Sequence, residues 1–203
     1  MNKYLIRYGF FGFIKLLIDF LKTKLFFNKS RLIRFPFDIR NRRFIDLGIN
    51  LTTGVGCRIE AHPNNSKKNK CIVFGKNVEI NDYVHIVSSD SVKIGDNVLL
   101  ASKIFISDTN HGCYSGYINT HSLPETIPND RLLSTNPVII EDNVWIGEFV
   151  SILPGVKIGK GSIIGSNSVV SKSIPPNCIA VGSPARIIKK FNYNTQNWER
   201  IKK

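Results

Sequence analysis

The chain has 203 residues, enough for one domain with a sizeable core, and a formal net charge of +13. The basic residues are not interleaved with aromatics and match no nucleic-acid motif, so nucleic acid is not the expected partner despite the charge. Cys57, Cys71, Cys113 and Cys178 show neither CxxC spacing nor the density of a secreted disulfide scaffold; they read as lone thiols in a reducing cytosol.

The chain opens with MNKYLIRYGFFGFIKLLIDFLKTKLFF, and through Arg43 it carries eleven Lys and Arg against Asp19 and Asp38. Lys3 and Arg7 precede apolar residues as in a signal peptide, but no small-residue cleavage site follows. Lys15, Asp19 and Lys22 also interrupt the run well short of the ~20 apolar residues that a spanning helix needs. These three charges share one helical face, and Ile6, Phe10, Phe13, Ile14, Leu17, Ile18 and Leu21 occupy the other. Residues 1–34 are therefore expected to form an amphipathic helical segment. Two uses stay open: packing on its own domain or a sister subunit, or peripheral contact with an anionic membrane through residues 1–30. The expected location is cytoplasmic, at the inner face of the membrane if the second use holds.

A different period follows. Traced from Leu47, an inward residue recurs at every sixth place through Thr53 and Ile59; HPNNSKKNK (62–70) then reads as a solvated loop. The phase resumes at Phe74, Ile80 and Ile86, slips by two residues in SSDS, and continues at Ile94, Leu100 and Ile106. After a long gap it runs cleanly through Ile140, Ile146, Ile152, Ile158, Ile164 and Val170, with Gly147, Gly159 and Gly165 each following an aliphatic. A period of six fits neither an amphipathic helix nor an alternating strand. It fits an all-β triangular solenoid, each hexad making one short strand and a corner, with glycine expected to let the chain turn.

The gap, 112–137, holds 26 residues without period, GCYSGYINTHSLPETIPNDRLLSTNP. Loops this long inside a compact domain are uncommon and usually functional. The end of the chain reads as a turn, a last strand and a short basic tail (191–203) that admits a helix around Trp198. A solenoid leaves open ends, so the first helix and this tail are natural caps.

The hexads, DTNHG (Asp108 to Gly112) opening the long loop, VWIG (Val144 to Gly147) and IPPNCIAVGSPARIIKK (Ile174 to Lys190) together resemble the hexapeptide-repeat acetyltransferases. The similarity is to the sugar O-acetylating branch and covers about residues 35–190. The resemblance implies a left-handed parallel β-helix over 35–190, an exception to the usual right-handed crossover. It further implies a homotrimer, acetyl-coenzyme A held in grooves between subunits as co-substrate, and a sugar or glycan acceptor such as O-antigen, capsule or a precursor.

Acetyl transfer from a thioester to a hydroxyl needs a base for the acceptor proton, and a neutral imidazole near pH 7 suits it. His111, at the lip of the long loop, matches the family's catalytic histidine. Asp108 or a loop carbonyl is expected to orient it, and Asn110 is read as an inward residue holding the loop root or touching acceptor. Trp145, at a corner, either packs between subunits or, by resemblance, lies near the reacting groups; by resemblance Asn81 is an acceptor contact, and Tyr114 in the long loop is taken as another. Ser166 and Ser171 match positions in the coenzyme groove, and Lys172, Arg186 and Lys189 its cationic end. Glu148 departs from the family, which has a small hydroxyl residue there.

His85, His62 and His121 read as hydrogen-bonded or solvated histidines. Counting three hexads per turn puts His85 on another face from His111, so a metal-dependent carbonic anhydrase of this fold is disfavoured and no metal is expected. An N-acetyltransferase for amino-sugars or xenobiotics remains the alternative within the fold.

Overall fold

The computed structural model describes residues 3–63, 69–114 and 121–201. Residues 64–68 of the polar insertion 62–70 and residues 115–120 of the 112–137 loop lie outside the described residues. The chain begins with α1 (Lys3–Phe26), kinked at Gly9, where φ is 66°. A strand β1 (Phe37–Arg40) leads into the coil. The first full turn holds β2 (Ile45–Asp46), β3 (Thr52–Thr53) and β4 (Cys57–Ala61); the second, β5 (Ile72–Phe74), β6 (Glu79–Ile80) and β7 (His85–Ser88). The third turn holds β8 (Val92–Ile94), β9 (Leu99–Leu100) and β10 (Phe105–Ser107). The long loop then departs with β11 (Thr109–His111) and returns with β12 (Leu133–Thr135). Two more turns follow: β13 (Val138–Ile140), β14 (Trp145–Ile146), β15 (Ser151–Ile152); and β16 (Lys157–Ile158), β17 (Ile163–Ile164), β18 (Val169–Val170). The end is β19 (Cys178–Val181), β20 (Arg186–Asn192) and β21 (Asn197–Arg200).

Three sheets form the sides of the coil. Side I is β1-β4-β7-β10-β15-β18, side II is β2-β5-β8-β13-β16, and side III runs from β3 through β6, β9, β14 and β17 to β19, β20 and β21. The chain visits side II, then III, then I, and repeats, so each strand pairs in parallel with strands one turn away. The hexad residues stack in register along each side. Ile59, Ile86, Ile106, Ile152 and Val170 are successive partners on side I. All five are fully buried, each worth about 1.5–3 kcal/mol in removal of apolar surface from water. Leu47 keeps the phase but is only half-buried, because it lies at the start of the coil.

The corners turn differently from the expectation. Gly147, Gly159 and Gly165 do not have positive φ; the left-handed corner positions include Asn50, Asn77, Asn97 and Asn143, at φ 55–59°. Asparagine tolerates this conformation, and these four form a ladder in which each amide donates to the next at 3.1–3.2 Å. Glycine is needed for space instead: a Cβ on Gly147 would lie 2.7 Å from the Ser166 backbone nitrogen of the next turn.

The two ends are closed as expected, but by different means. β20 folds back antiparallel on β19 and pairs with β21. Trp198 lies in β21 rather than in a helix, its ring edge-on to Phe191 at 5.3 Å. At the other end α1 packs through its polar face. Asp19 and Thr23 are buried; Lys15 Nζ donates to Asp19 at 2.7 Å and to the Phe35 carbonyl at 2.8 Å. Thr23 Oγ1 accepts from the Ile33 N–H at 2.8 Å. Phe11, Leu21 and Leu25 point outward, 84%, 66% and 75% exposed, while Phe13 and Leu16 face a groove between the helix and the coil. No helix among the described residues is long and apolar enough to cross a membrane.

Candidate active site

His111 ends β11, which pairs antiparallel with β12 so that His111 stands opposite Leu133. The loop thus has a root closed by strand pairing. Just past the strand, Gly112 has φ 115°, and a Cβ there would lie 2.5 Å from the Tyr114 hydroxyl. That bare turn lets Tyr114 fold back and donate its O–H to the His111 carbonyl at 2.5 Å. Arg131 holds Tyr114 in turn: Nη1 donates to the Tyr114 oxygen at 2.9 Å, Nε to the Thr126 carbonyl at 3.0 Å and Nη2 to the Pro124 carbonyl at 3.1 Å. Ser134 Oγ closes the root by donating to the Gly112 carbonyl at 2.6 Å. The backbone of His111 is therefore fixed while its side chain is exposed. Among the described residues no side chain hydrogen-bonds its imidazole.

Asp108 does not orient His111. Its carboxylate is fully buried and accepts from Ser88 Oγ (2.7 Å), from the N–H groups of Ser89, Asp90 and Ser91 (2.9, 2.8 and 2.6 Å) and from Thr109 Oγ1 (2.6 Å). Those donors are the SSDS segment, where the hexad phase slips by two residues. The longer turn curls around a buried anion that satisfies its backbone groups. Asn110 is likewise corrected: it is exposed on β11 opposite Ser134 rather than directed into the coil.

The remaining site residues are distributed over the coil. Trp145 is 49% exposed on side III, between Leu99 and Ile163; the loop of His111 leaves from side I, so a single chain does not join the two by topology. Asn81 is exposed at the corner after β6, its backbone bonded to the Leu100 carbonyl at 2.9 Å. Ser166 sits at the corner beside Gly147, and Ser171 and Lys172 follow β18, all exposed. Arg186 and Lys189 lie on β20, opposite Val181 and Ile179. These three serine and lysine positions and the two on β20 share one end of the molecule. Glu148 is exposed, and its backbone carbonyl accepts from Asn167 at 2.8 Å.

His85 is absorbed in a cluster that sequence did not reveal. Glu60, 5% exposed, is bound by His85 Nε2 (2.7 Å), Arg40 Nη1 (3.0 Å), Arg58 Nε (3.2 Å) and His62 Nε2 (3.5 Å). Burial alone would raise the Glu60 pKa; the hydrogen bond from His85 and the charges of Arg58 and Arg40 outweigh it and hold the carboxyl below its ordinary value. The cluster links three adjacent strands of side I, whose members stand 20–27 residues apart in sequence, so no local motif announces it. Among the described residues the cysteines form no disulfide, and burial pushes the Cys57 thiol up to about 11. Among the described residues no three His, Cys, Asp or Glu side chains are grouped as metal ligands.

Residues 137–172 match the bacterial transferase hexapeptide (six repeats) family. WbbJ of Escherichia coli K12, named for O-acetyl transfer in lipopolysaccharide biosynthesis, is 47% identical over 194 residues, 96% of each chain. Among solved structures, a variant of AntD, an N-acyltransferase from Bacillus cereus in complex with dTDP-4-amino-4,6-dideoxyglucose and coenzyme A, superposes with TM-score 0.65 and 26% identity, covering 82% of this chain and 84% of that one. A maltose O-acetyltransferase from Clostridium difficile 630 superposes with TM-score 0.52 and 32% identity, over 73% and 71% of the two chains. With its stacked hexads, its histidine loop and a relative matching nearly end to end, the chain belongs to the hexapeptide-repeat acetyltransferases, in the sugar O-acetyltransferase branch.

Proposed function

We propose that the protein transfers the acetyl group of acetyl-CoA to a sugar hydroxyl of a cell-surface glycan or its precursor, with His111 as general base. The observation that carries this reading is the exposed His111 imidazole on a backbone held by β12, Tyr114 and Arg131. A neutral imidazole takes the hydroxyl proton as the oxygen attacks the thioester carbonyl. The C–S bond breaks, the acetyl group stays on the sugar oxygen as an ester, and the imidazolium returns its proton to the departing thiolate. A loop carbonyl is the proposed acceptor for the second ring nitrogen, because the Asp108 carboxylate is already occupied by five other donors. Asp108 anchors the loop root, and Tyr114 and Arg131 position the histidine.

In this reading the coil is left-handed and three copies assemble, so that Trp145 and Asn81 of one subunit reach the His111 loop of the next. Ser166 and Ser171 line the pantetheine path, and Lys172, Arg186 and Lys189 meet the coenzyme phosphates. Asn110, exposed beside His111, is available to the acceptor. The outward apolar face of α1 and the basic residues around it favour peripheral attachment to an anionic membrane surface. The test is release of free CoA thiol from acetyl-CoA in the presence of surface-glycan fractions, with mass spectrometry of the glycan. Thiol release matched by one added acetyl group supports the reading; thiol release without acetylated product, or none with any fraction, refutes it.

A further inference from the structure

α1 does not lie flat on the coil. Between it and the corner following β3 and β6 runs a groove of about 730 Å³, with Phe13, Leu16 and Phe20 on the helix wall and Asn81 on the coil wall. This is within the ordinary range for a site that takes a small organic ligand. Its rim is cationic. The Arg7 guanidinium lies 5.6 Å from the centre of the Tyr8 ring and the Arg34 guanidinium 5.8 Å from the same ring, and all three residues line the groove. Among the described residues neither guanidinium is paired with a carboxylate. Arg31, at the same rim, is already engaged by Glu79 and by Thr52 Oγ1. Two planar cations beside one ring, neither paired with a carboxylate among the described residues, offer charged donors to phosphate oxygens. The wall below them is aromatic and aliphatic, and Leu17 and Phe20, 46% and 44% exposed, continue it into the outward apolar face of α1.

An occupant that satisfies both features carries a phosphate and a hydrocarbon chain. We propose that the groove seats the acceptor as a lipid-carried sugar phosphate, with its phosphate at Arg7 and Arg34, its chain along Phe13, Leu16 and Phe20, and its sugar toward Asn81. This rests on the acetyl-transfer reading for the role of Asn81. It narrows the acceptor from glycans in general to those still on a lipid carrier, delivered by a reaction that builds sugars onto lipid phosphate.

Titration calorimetry on the full chain tests it with four probes: farnesyl diphosphate below its micelle concentration, inorganic pyrophosphate, farnesol and uridine diphosphate. Farnesyl diphosphate should bind at least about ten-fold more tightly than any of the other three, because only it engages cations and wall together. Arg7→Gln with Arg34→Gln should weaken it about ten-fold or more while CoA binding is unchanged, the scale of losing charge-assisted hydrogen bonds. Equal binding of pyrophosphate means an anion site only, equal binding of uridine diphosphate a nucleotide-linked acceptor, and equal binding of farnesol an apolar cleft only; each overturns the proposal. So does wild-type affinity in the double variant. Should that variant not fold, the comparison of four probes on the unaltered protein decides. A protein that acetylates soluble glycan yet ignores farnesyl diphosphate sinks the groove alone. One that binds farnesyl diphosphate yet never consumes acetyl-CoA sinks the activity alone.

Discussion

A general base must be exposed to its substrate and yet still, and His111 meets both needs by separating backbone from side chain. The β11–β12 pairing and the Tyr114 hydroxyl fix the main chain, leaving the imidazole in the open. His111→Ala should lower turnover about 10²–10⁴-fold, the usual worth of a general base, with CoA binding retained; near-normal turnover in a steady-state assay would refute the assignment. Asp108 behaves differently. Three backbone N–H groups and two hydroxyls depend on its buried carboxylate, so Asp108→Asn should destabilise the fold by about 1–3 kcal/mol. Thermal unfolding should show that loss while the pH dependence of turnover stays put; a shifted pH profile at unchanged stability would restore Asp108 as the orienting group. The place of His111 at the root of the long loop was legible because the residue sits where the period fails. It misleads on Asp108, because proximity along the chain suggested the histidine while the true partners lie one coil away, 17–20 residues back.

At the scale of the element, a hexad is too short to be stable alone and exists only as a rung between two others. Its inward aliphatic was readable wherever the period holds, and the reading failed at Asn110, where the loop departs. Ile106→Ala removes a fully buried rung between Ile86 and Ile152 and should cost about 2–5 kcal/mol. Contacts between outward side chains were not readable, because the period says nothing about which exposed residues stack. Glu60 is the clearest case. Its pKa is lowered on folding, so its contribution to stability is present above the ordinary glutamate range and fades as pH falls through about 4 and below. Arg40 and Arg58 are about half-exposed, so solvent screens the effect. Glu60→Gln should therefore flatten the acid limb of a stability–pH curve; an unchanged limb would show the cluster to be inert. The helix α1 inverts a second expectation. Its amphipathicity was plain in the sequence, but the side that packs is the one with Lys15, Asp19 and Thr23, because their partners at Phe35 and Ile33 are backbone groups that need donors and acceptors.

The whole molecule divides labour between a repetitive scaffold and the places that break the repeat. The coil carries Trp145, Asn81 and the residues assigned to the coenzyme on different sides and at different heights, and the loop carries the base. In the proposed assembly these parts meet between neighbouring copies of the chain. The outward apolar residues of α1 are the part that the proposed membrane contact would use. Full-length protein should sediment with vesicles rich in anionic lipid, and Phe11→Ser with Leu25→Ser should abolish that without altering the coil; equal sedimentation of both would rule out the helix as the anchor. The chemistry itself is tested most directly by the bond it makes. Purified protein, acetyl-CoA and an accepted glycan should yield product one acetyl group heavier that loses the added mass under mild alkali, as an ester does. An acetyl group that survives alkali, as an amide would, or thiol release with no acetyl on the glycan, would contradict O-acetylation by this protein.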